Sequence, residues 1–262
     1  MGGAYPLRQC AVMDKEEQKH MDRVEEARRT LLALYGGSHS PLEESDPDFA
    51  AIKQRLVYGE LYAQEALDPV MRELILLAVA TTNQTMSEVK LHTCAALRSG
   101  ASPEAVKEAV YHCAPYIGLG KAEAAAAAVN EVLRTQGISL PLASQRTVSE
   151  EDRLTAGIAA QKSIFGPHID EMRAAAPNDK KPLQDYLSAY CFGDFYTRSG
   201  LDIRQRELLT FSILSAQGGC ENQIKAHAGG NAAVGNDKPL LLAALMLCMP
   251  YIGLPRTLNA LS

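Results

Sequence analysis

Two histidines carry the chemistry-bearing pattern of this chain. Glu88 stands four residues before His92, so on a helix the carboxylate and the imidazole share a face within contact distance. A carboxylate that orients or charges an imidazole is the minimum equipment for moving a proton on and off a substrate. Gln223 stands four residues before His227 and Cys220 seven before it, which predicts a thiol, an amide and an imidazole lining one pocket. Lys90 and Lys225, two residues before their histidines, face elsewhere. Thr85-x-x-Glu88 is also a capping box, in which Glu88 only reaches back to the helix start.

Arg72-Glu73 and Arg206-Glu207 form a second matched set. Glu73 and Glu207 are favourable near a helix N-terminus for electrostatic reasons alone; the functional alternative is a buried proton relay behind each histidine. Tyr62 and Tyr196 are matched aromatics, suited to packing or to substrate contact. Arg198 has Gln64 as its counterpart. An unmatched arginine beside a pocket is suited to hold a substrate carboxylate, and the alternative is a surface charge. Cys113 and Cys248 lie in apolar stretches, and they, Cys94 and Cys191 are assigned to packing.

These residues are matched because the chain is duplicated. Ala114-Pro115-Tyr116-Ile117-Gly118-Leu119 returns as Met249-Pro250-Tyr251-Ile252-Gly253-Leu254, with Pro115 and Pro250 135 residues apart. The same offset relates Gly100 to Gly235 and His92 to His227; one residue of slippage then relates Arg72-Glu73-Leu74 to Arg206-Glu207-Leu208 and Tyr58-Gly59 to Phe192-Gly193. Landmarks in constant order mean an internal repeat. The expected modules are residues 14–138 and 149–262, after a loose leader to Asp14 and joined by Leu140 to Val148.

Helical periodicity runs throughout, with no alternating strand pattern, so the fold class is all-α. The first module is predicted to hold helices over Lys15–Tyr35, about Phe49–Glu65, from Asp68-Pro69 through Ala80, Thr85 to Gly100, Ser102 to Pro115, and Lys121–Gln136. Met21, Val24, Leu31 and Leu34 form the apolar face of the first. The second module repeats the plan over Ser149–Phe165, Pro182–Thr197, Asp202–Gln217, Cys220–Gly230 and Pro239–Met249. Only a stub remains opposite the alanine-rich Lys121–Gln136 helix.

Bulk properties narrow the function. The chain has 262 residues, 47% hydrophobic, with a formal charge of −5, which leaves no basic footprint for nucleic acid or an anionic membrane. No apolar run approaches a membrane span, and the N-terminus lacks the apolar centre of a signal peptide. Gly2 invites acylation, but Pro6 stands where Ser or Thr is wanted. Six cysteines without a Cys-x-x-Cys pair predict reduced thiols and a cytoplasmic location.

The run Gly193-Asp194-Phe195-Tyr196-Thr197-Arg198-Ser199-Gly200-Leu201-Asp202, then Arg206-Glu207-Leu208 and Gly218-Gly219-Cys220-Glu221-Asn222-Gln223-Ile224-Lys225-Ala226-His227, resembles the carboxymuconolactone decarboxylase family. Pro250-Tyr251-Ile252-Gly253-Leu254-Pro255-Arg256-Thr257 is similar to that family's terminal motif, and Glu88-Val89-Lys90-Leu91-His92 to its histidine helix. The resemblance implies an AhpD-like helical fold whose single-module members form six-module rings, so three tandem chains would make one homo-oligomeric ring. It implies either cofactor-free, metal-free decarboxylation of a carboxylated lactone or peroxide and disulfide reduction through a Cys-x-x-Cys pair.

Carried across, the relay glutamate falls on Glu73 and Glu207, the histidine on His92 and His227, the first redox cysteine on Thr85 and Cys220, and the second on Glu88 and Gln223. Neither module keeps the resolving cysteine. The leading expectation is a decarboxylase-like enzyme using His92, Glu88 and Glu73, with His227, Cys220 and Glu207 in the second pocket. Its small-molecule substrate is bound by Arg198, Gln223, Tyr196 and Tyr62. A thiol peroxidase using Cys220 and a non-catalytic binding ring are the alternatives.

Overall fold

A computed structural model of the chain describes the backbone of residues 15–37, 40–63 and 66–262, and side chains from residue 23 onward. The expected leader, Cys10, Gln64 and the end of the second predicted helix at Glu65 lie outside the described residues. The described elements are all helical, and no helix among them is long and apolar enough to cross a membrane. They fall into two units, residues 1–63 and 64–262.

The N-terminal unit holds α1 (Lys15–Tyr35) and α2 (Pro47–Gln54), the latter continuing as a π-helical segment over Arg55–Leu61. The buried face of α1 is Ala27 and Leu31, whereas Val24 is exposed. Of the predicted face, Leu31 is buried and Leu34 half-buried, Val24 alone turns outward, and the Met21 side chain lies outside the described residues; Ala27 adds a small residue to the same face. A Cβ on Gly59 would lie 2.0 Å from the carbonyl oxygen of Arg23; Arg23 also pairs with Glu60.

The larger unit opens with α3 (Pro69–Asn83), α4 (Met86–Arg98), α5 (Pro103–Ile117) and α6 (Leu119–Thr135). The starts of α3 and α5 are chemically marked. Asp68 accepts from the Met71 amide at 2.9 Å and Ser102 from the Ala105 amide at 3.1 Å, with proline in the first turn of both. Leu74 through Ala80 are buried without exception, as an all-round apolar sequence requires. Thr85 precedes α4 but caps nothing with its side chain; its hydroxyl donates to the Ala80 carbonyl at 3.3 Å. The capping-box alternative for Glu88 is thereby removed.

The second repeat follows an irregular linker. It contains α7 (Arg153–Phe165), α8 (His168–Ala175), α9 (Lys181–Tyr186) with a π-helical continuation over Leu187–Tyr196, α10 (Ile203–Gln217), α11 (Glu221–Ala233), α12 (Lys238–Ile252) and α13 (Leu254–Leu261). Asp202 and Gln205 form a full capping box at α10. A Cβ on Gly193 would lie 2.2 Å from the Arg153 carbonyl oxygen, and Arg153 clamps Asp194. The contact made by Gly59 and Arg23 thus recurs.

The sequence did not signal α8 or the two π-helical segments. α5 and α12 also run past Pro115 and Pro250 to Ile117 and Ile252. Each proline lies within the last turn, and the chain turns only at Gly118 (φ 92°) and Gly253 (φ 80°), where positive φ favours glycine.

The core of this unit is shared by both repeats. α3 packs on α10, α12 packs on α3, and α5 packs on α10. The end of α5 therefore reaches the second repeat, and the end of α12 reaches the first.

Candidate active site

α3 and α4 build the first site. Glu73, in the first turns of α3, is 1% exposed and its Oε2 lies 2.8 Å from Nδ1 of the fully buried His92 on α4. Glu88, one turn before His92, brings Oε2 to 3.5 Å from Nε2, an ion-pair separation without hydrogen-bond alignment. Burial pulls the His92 pKa down, but the two flanking carboxylates outweigh it and leave it raised. The ring is an imidazole biased toward its protonated form between two acids. Tyr251, from the end of α12, meets it edge-on with centroids 5.8 Å apart.

α10 and α11 repeat the pair. Glu207 is fully buried, and its Oε2 lies 2.9 Å from Nδ1 of His227, whose side chain is 12% exposed. Phe165 and Tyr116 meet the imidazole edge-on, at 5.3 and 6.3 Å. Tyr116 comes from the end of α5, so each histidine takes an aromatic neighbour from the other repeat. The His227 backbone is held as well: Asn231, fully buried, donates to the carbonyls of His227 and Glu207. With Nδ1 on the carboxylate, Nε2 is the edge available to a reactant.

The remaining predicted residues divide. Tyr196 joins the second site, donating to Glu207 Oε1 at 2.7 Å. Tyr62 is buried in the N-terminal unit, its ring against Tyr58. Gln223 is exposed on α11. Cys220 precedes α11 in non-helical geometry, φ −123° and ψ 32°, so the helical spacing that joined it to His227 does not extend to it. Its Sγ lies 3.4 Å from the Gly218 carbonyl, and burial, then Glu221, raise its pKa. Lys90 pairs with Glu131 of α6, away from the imidazole.

Arg198 is not brought to His227. It pairs with Glu108 of α5 at 2.8 Å, and Glu108 also takes Arg206 at 3.1 Å. Glu108 is 1% exposed and Arg206 fully buried, so this cluster answers the cost of burying charge. Arg198 lines a separate cavity of about 140 Å³ with Lys107, Tyr111 and Gln145.

Sequence reasoning passed over His112, Thr210 and the place of Tyr116. These meet Tyr196 in the protein interior, where Thr210 Oγ1 lies 2.7 Å from the Tyr196 hydroxyl, 3.0 Å from the Tyr116 hydroxyl and 2.9 Å from His112 Nε2. His112 has no histidine opposite it in the repeat, so internal symmetry gave no signal for it. Among the described residues no group of three or more His, Cys, Asp or Glu is placed to hold a metal ion.

Both pairs of a buried glutamate with a histidine on the following helix lie within segments that one family model matches. The family model for carboxymuconolactone decarboxylases matches residues 47–131 and again 181–262, together more than half of the chain. The chain belongs to the carboxymuconolactone decarboxylase family. It carries two tandem copies of that family's unit. Among curated relatives, 4-carboxymuconolactone decarboxylase of Acinetobacter baylyi is 29% identical over 98 residues, which cover 37% of this chain and 73% of the relative. Among solved structures, a putative gamma-carboxymuconolactone decarboxylase subunit from Burkholderia xenovorans shares the fold with a TM-score of 0.55. That match is 21% identical and covers 90% of this chain and 94% of the other.

Proposed function

We propose that this family member is a decarboxylase-like lyase, acting on a small carboxylated lactone or related acid through histidine acid–base chemistry. The observation that carries the proposal is His92 between Glu73 and Glu88, buried and biased toward the imidazolium. In the reaction the carbon–carboxylate bond breaks and carbon dioxide leaves. The electron pair passes into the lactone carbonyl system and the carbon takes a proton. An imidazolium in a low-dielectric site stabilises the developing negative charge and is the proton donor. Glu73 holds the ring through Nδ1 and Glu88 accompanies Nε2; Glu207 and His227 would do the same in the second module.

The test is carbon dioxide release from 4-carboxymuconolactone and related carboxylated lactones, by wild type, His92→Ala, His227→Ala and the double variant. Loss of turnover on removing either histidine supports the assignment and ranks the two sites. Unchanged turnover of every accepted substrate in both single variants would sink it.

The thiol-peroxidase alternative is less favoured by the second site. A nucleophilic cysteine needs a depressed pKa, whereas that of Cys220 is raised. Dithiol-driven peroxide consumption that vanishes in Cys220→Ser would reinstate it.

Assembly into homo-oligomers, with three chains giving six modules, is proposed alongside and is supported by the exposed Leu254, Leu258 and Leu261 of α13. Sedimentation at micromolar concentration decides this, a monomeric mass being the adverse result. A cytoplasmic location is proposed on the reduced-thiol argument: the five described cysteines are free. The module bounds 14–138 and 149–262 are retained as the proposed limits of the duplication.

A further inference from the structure

His112 is fully buried on α5 and belongs to the first repeat, yet besides Tyr116 of its own helix its ring meets Tyr196 of the second repeat, edge-on with centroids 4.8 Å apart. Its Nε2 lies 3.1 Å from the Arg206 carbonyl oxygen. A carbonyl can only accept, so the ring proton sits on Nε2. Nδ1, the remaining acceptor, faces Arg206 Nη1 at 3.5 Å. Burial, then the Arg206 charge, hold the ring well below the ordinary histidine range, so it is neutral and has one proton to give.

That proton is shared with Thr210 Oγ1, at 2.9 Å. The direction of the rest follows from the far end. Glu207 accepts from Tyr196, which leaves the Tyr196 oxygen as an acceptor. Thr210 has a single proton, and it reaches that oxygen directly at 2.7 Å, or through Tyr116 by steps of 3.0 and 3.1 Å. Every bond in the chain then points from His112 toward Glu207, and aligned hydrogen bonds polarise one another. Glu207 Oε1 is fixed by this chain while Oε2 holds His227. At the matched positions of the other repeat, Thr210 is replaced by Leu76 and His112 by Leu247, and both leucines are buried. Neither can donate or accept.

We propose that His112, acting through Thr210 and Tyr196, is a positioning residue that sets the Glu207–His227 pair from across the repeat boundary, an arrangement the His92 site lacks. Its catalytic meaning rests on His227 being one of the reacting imidazoles. The positioning itself is read without turnover, so failure of the decarboxylase assignment and failure of this one are distinguishable.

The measurement is ring ¹⁵N spectroscopy of histidine-labelled full-length protein at a pH where the His227 imidazole is neutral, with His92 as internal control. Wild type should show His227 as the Nδ1–H tautomer. His112→Leu and Thr210→Val should each lower the Nδ1–H to Nε2–H ratio of His227 by about fivefold, the effect of about one net hydrogen bond. The His92 signals should stay in place, and His112→Gln, whose amide can donate to Thr210, should restore most of the ratio. Should His112→Leu fail to fold, Thr210→Val, which deletes one hydroxyl, decides. A His227 ratio unmoved in the folded variants overturns the proposal. So does an equal disturbance of His92, which would mean general loosening.

Discussion

Gly230→Ala tests the second site with a single methyl group. Gly230 lies on α11 one turn beyond His227, and a Cβ there would fall 2.6 Å from Glu207 Oε2. It would also fall 2.9 Å from Ile164 Cγ2 and 3.1 Å from Phe165 Cε1. Glu207 cannot swing aside freely, because it is fully buried and Tyr196 holds its other oxygen. To reach ordinary contact the carboxylate oxygen must retreat by roughly 0.8 Å, and the 2.9 Å contact with His227 Nδ1 then passes out of hydrogen-bonding range. Overpacking costs about 1–3 kcal/mol, and exchanging a helical glycine for alanine returns about 1 kcal/mol. The expected net loss of about 1 kcal/mol is a fall of about 2–4 °C in melting temperature. Turnover at this site should fall by about 10²–10⁴-fold, the usual worth of a positioned acid–base group. Thermal denaturation and carbon dioxide release on the His92→Ala background, where only the second site can act, supply the two readings. The matched residue of the first repeat, Ala95, is buried and already carries a methyl group, so Ala95→Gly should lose only helix propensity and a small contact. An unchanged melting temperature together with unchanged turnover in Gly230→Ala would refute the reasoning.

Four further outcomes are expected. The His92 pKa is raised on folding from an ordinary value of 6.5. Its stabilising contribution is therefore complete below that value and lost as pH rises through the raised one, and the decline in melting temperature over that window should be smaller in His92→Gln. Glu108→Gln leaves the fully buried Arg206 without its counter-charge and should cost about 3–5 kcal/mol in denaturant unfolding. Gly193→Ala drives a methyl into the Arg153 carbonyl and should destabilise by at least about 1 kcal/mol in the same assay. Iodoacetamide should alkylate Cys220 more slowly at neutral pH than it alkylates an unstructured peptide thiol, because the thiolate is disfavoured; mass spectrometry of the labelled peptide reads the rate.

Features set by neighbouring residues along the chain were readable without coordinates. The Asp68 and Ser102 caps, the buried run of α3, and the Glu88–His92 pairing each depend on one helix. The repeat extended that reach, since matched landmarks pointed to Glu73 and Glu207 before their contacts with the imidazoles were seen. What stayed hidden is set between elements. His112 meets Thr210 across 98 residues, and Arg198 meets Glu108 across 90, distances over which side-chain spacing has no meaning. The π-helical segments were hidden for the same reason. They lie where Gly59 and Gly193 press onto a neighbouring helix, and composition alone reads those stretches as ordinary α-helix.

The exchange of aromatic residues, Tyr251 against His92 and Tyr116 against His227, has an evolutionary reading. Two identical subunits trading such residues would be bound to identical sites, since any substitution appears on both sides of the axis at once. Joining the copies in one polypeptide lifts that bond. Histidine and threonine can settle on one side while leucines settle on the other, and neither half can be cut away without uncovering the other's imidazole. In this chain the duplication works as a licence for asymmetry: two related sites that must stay together and need not stay alike.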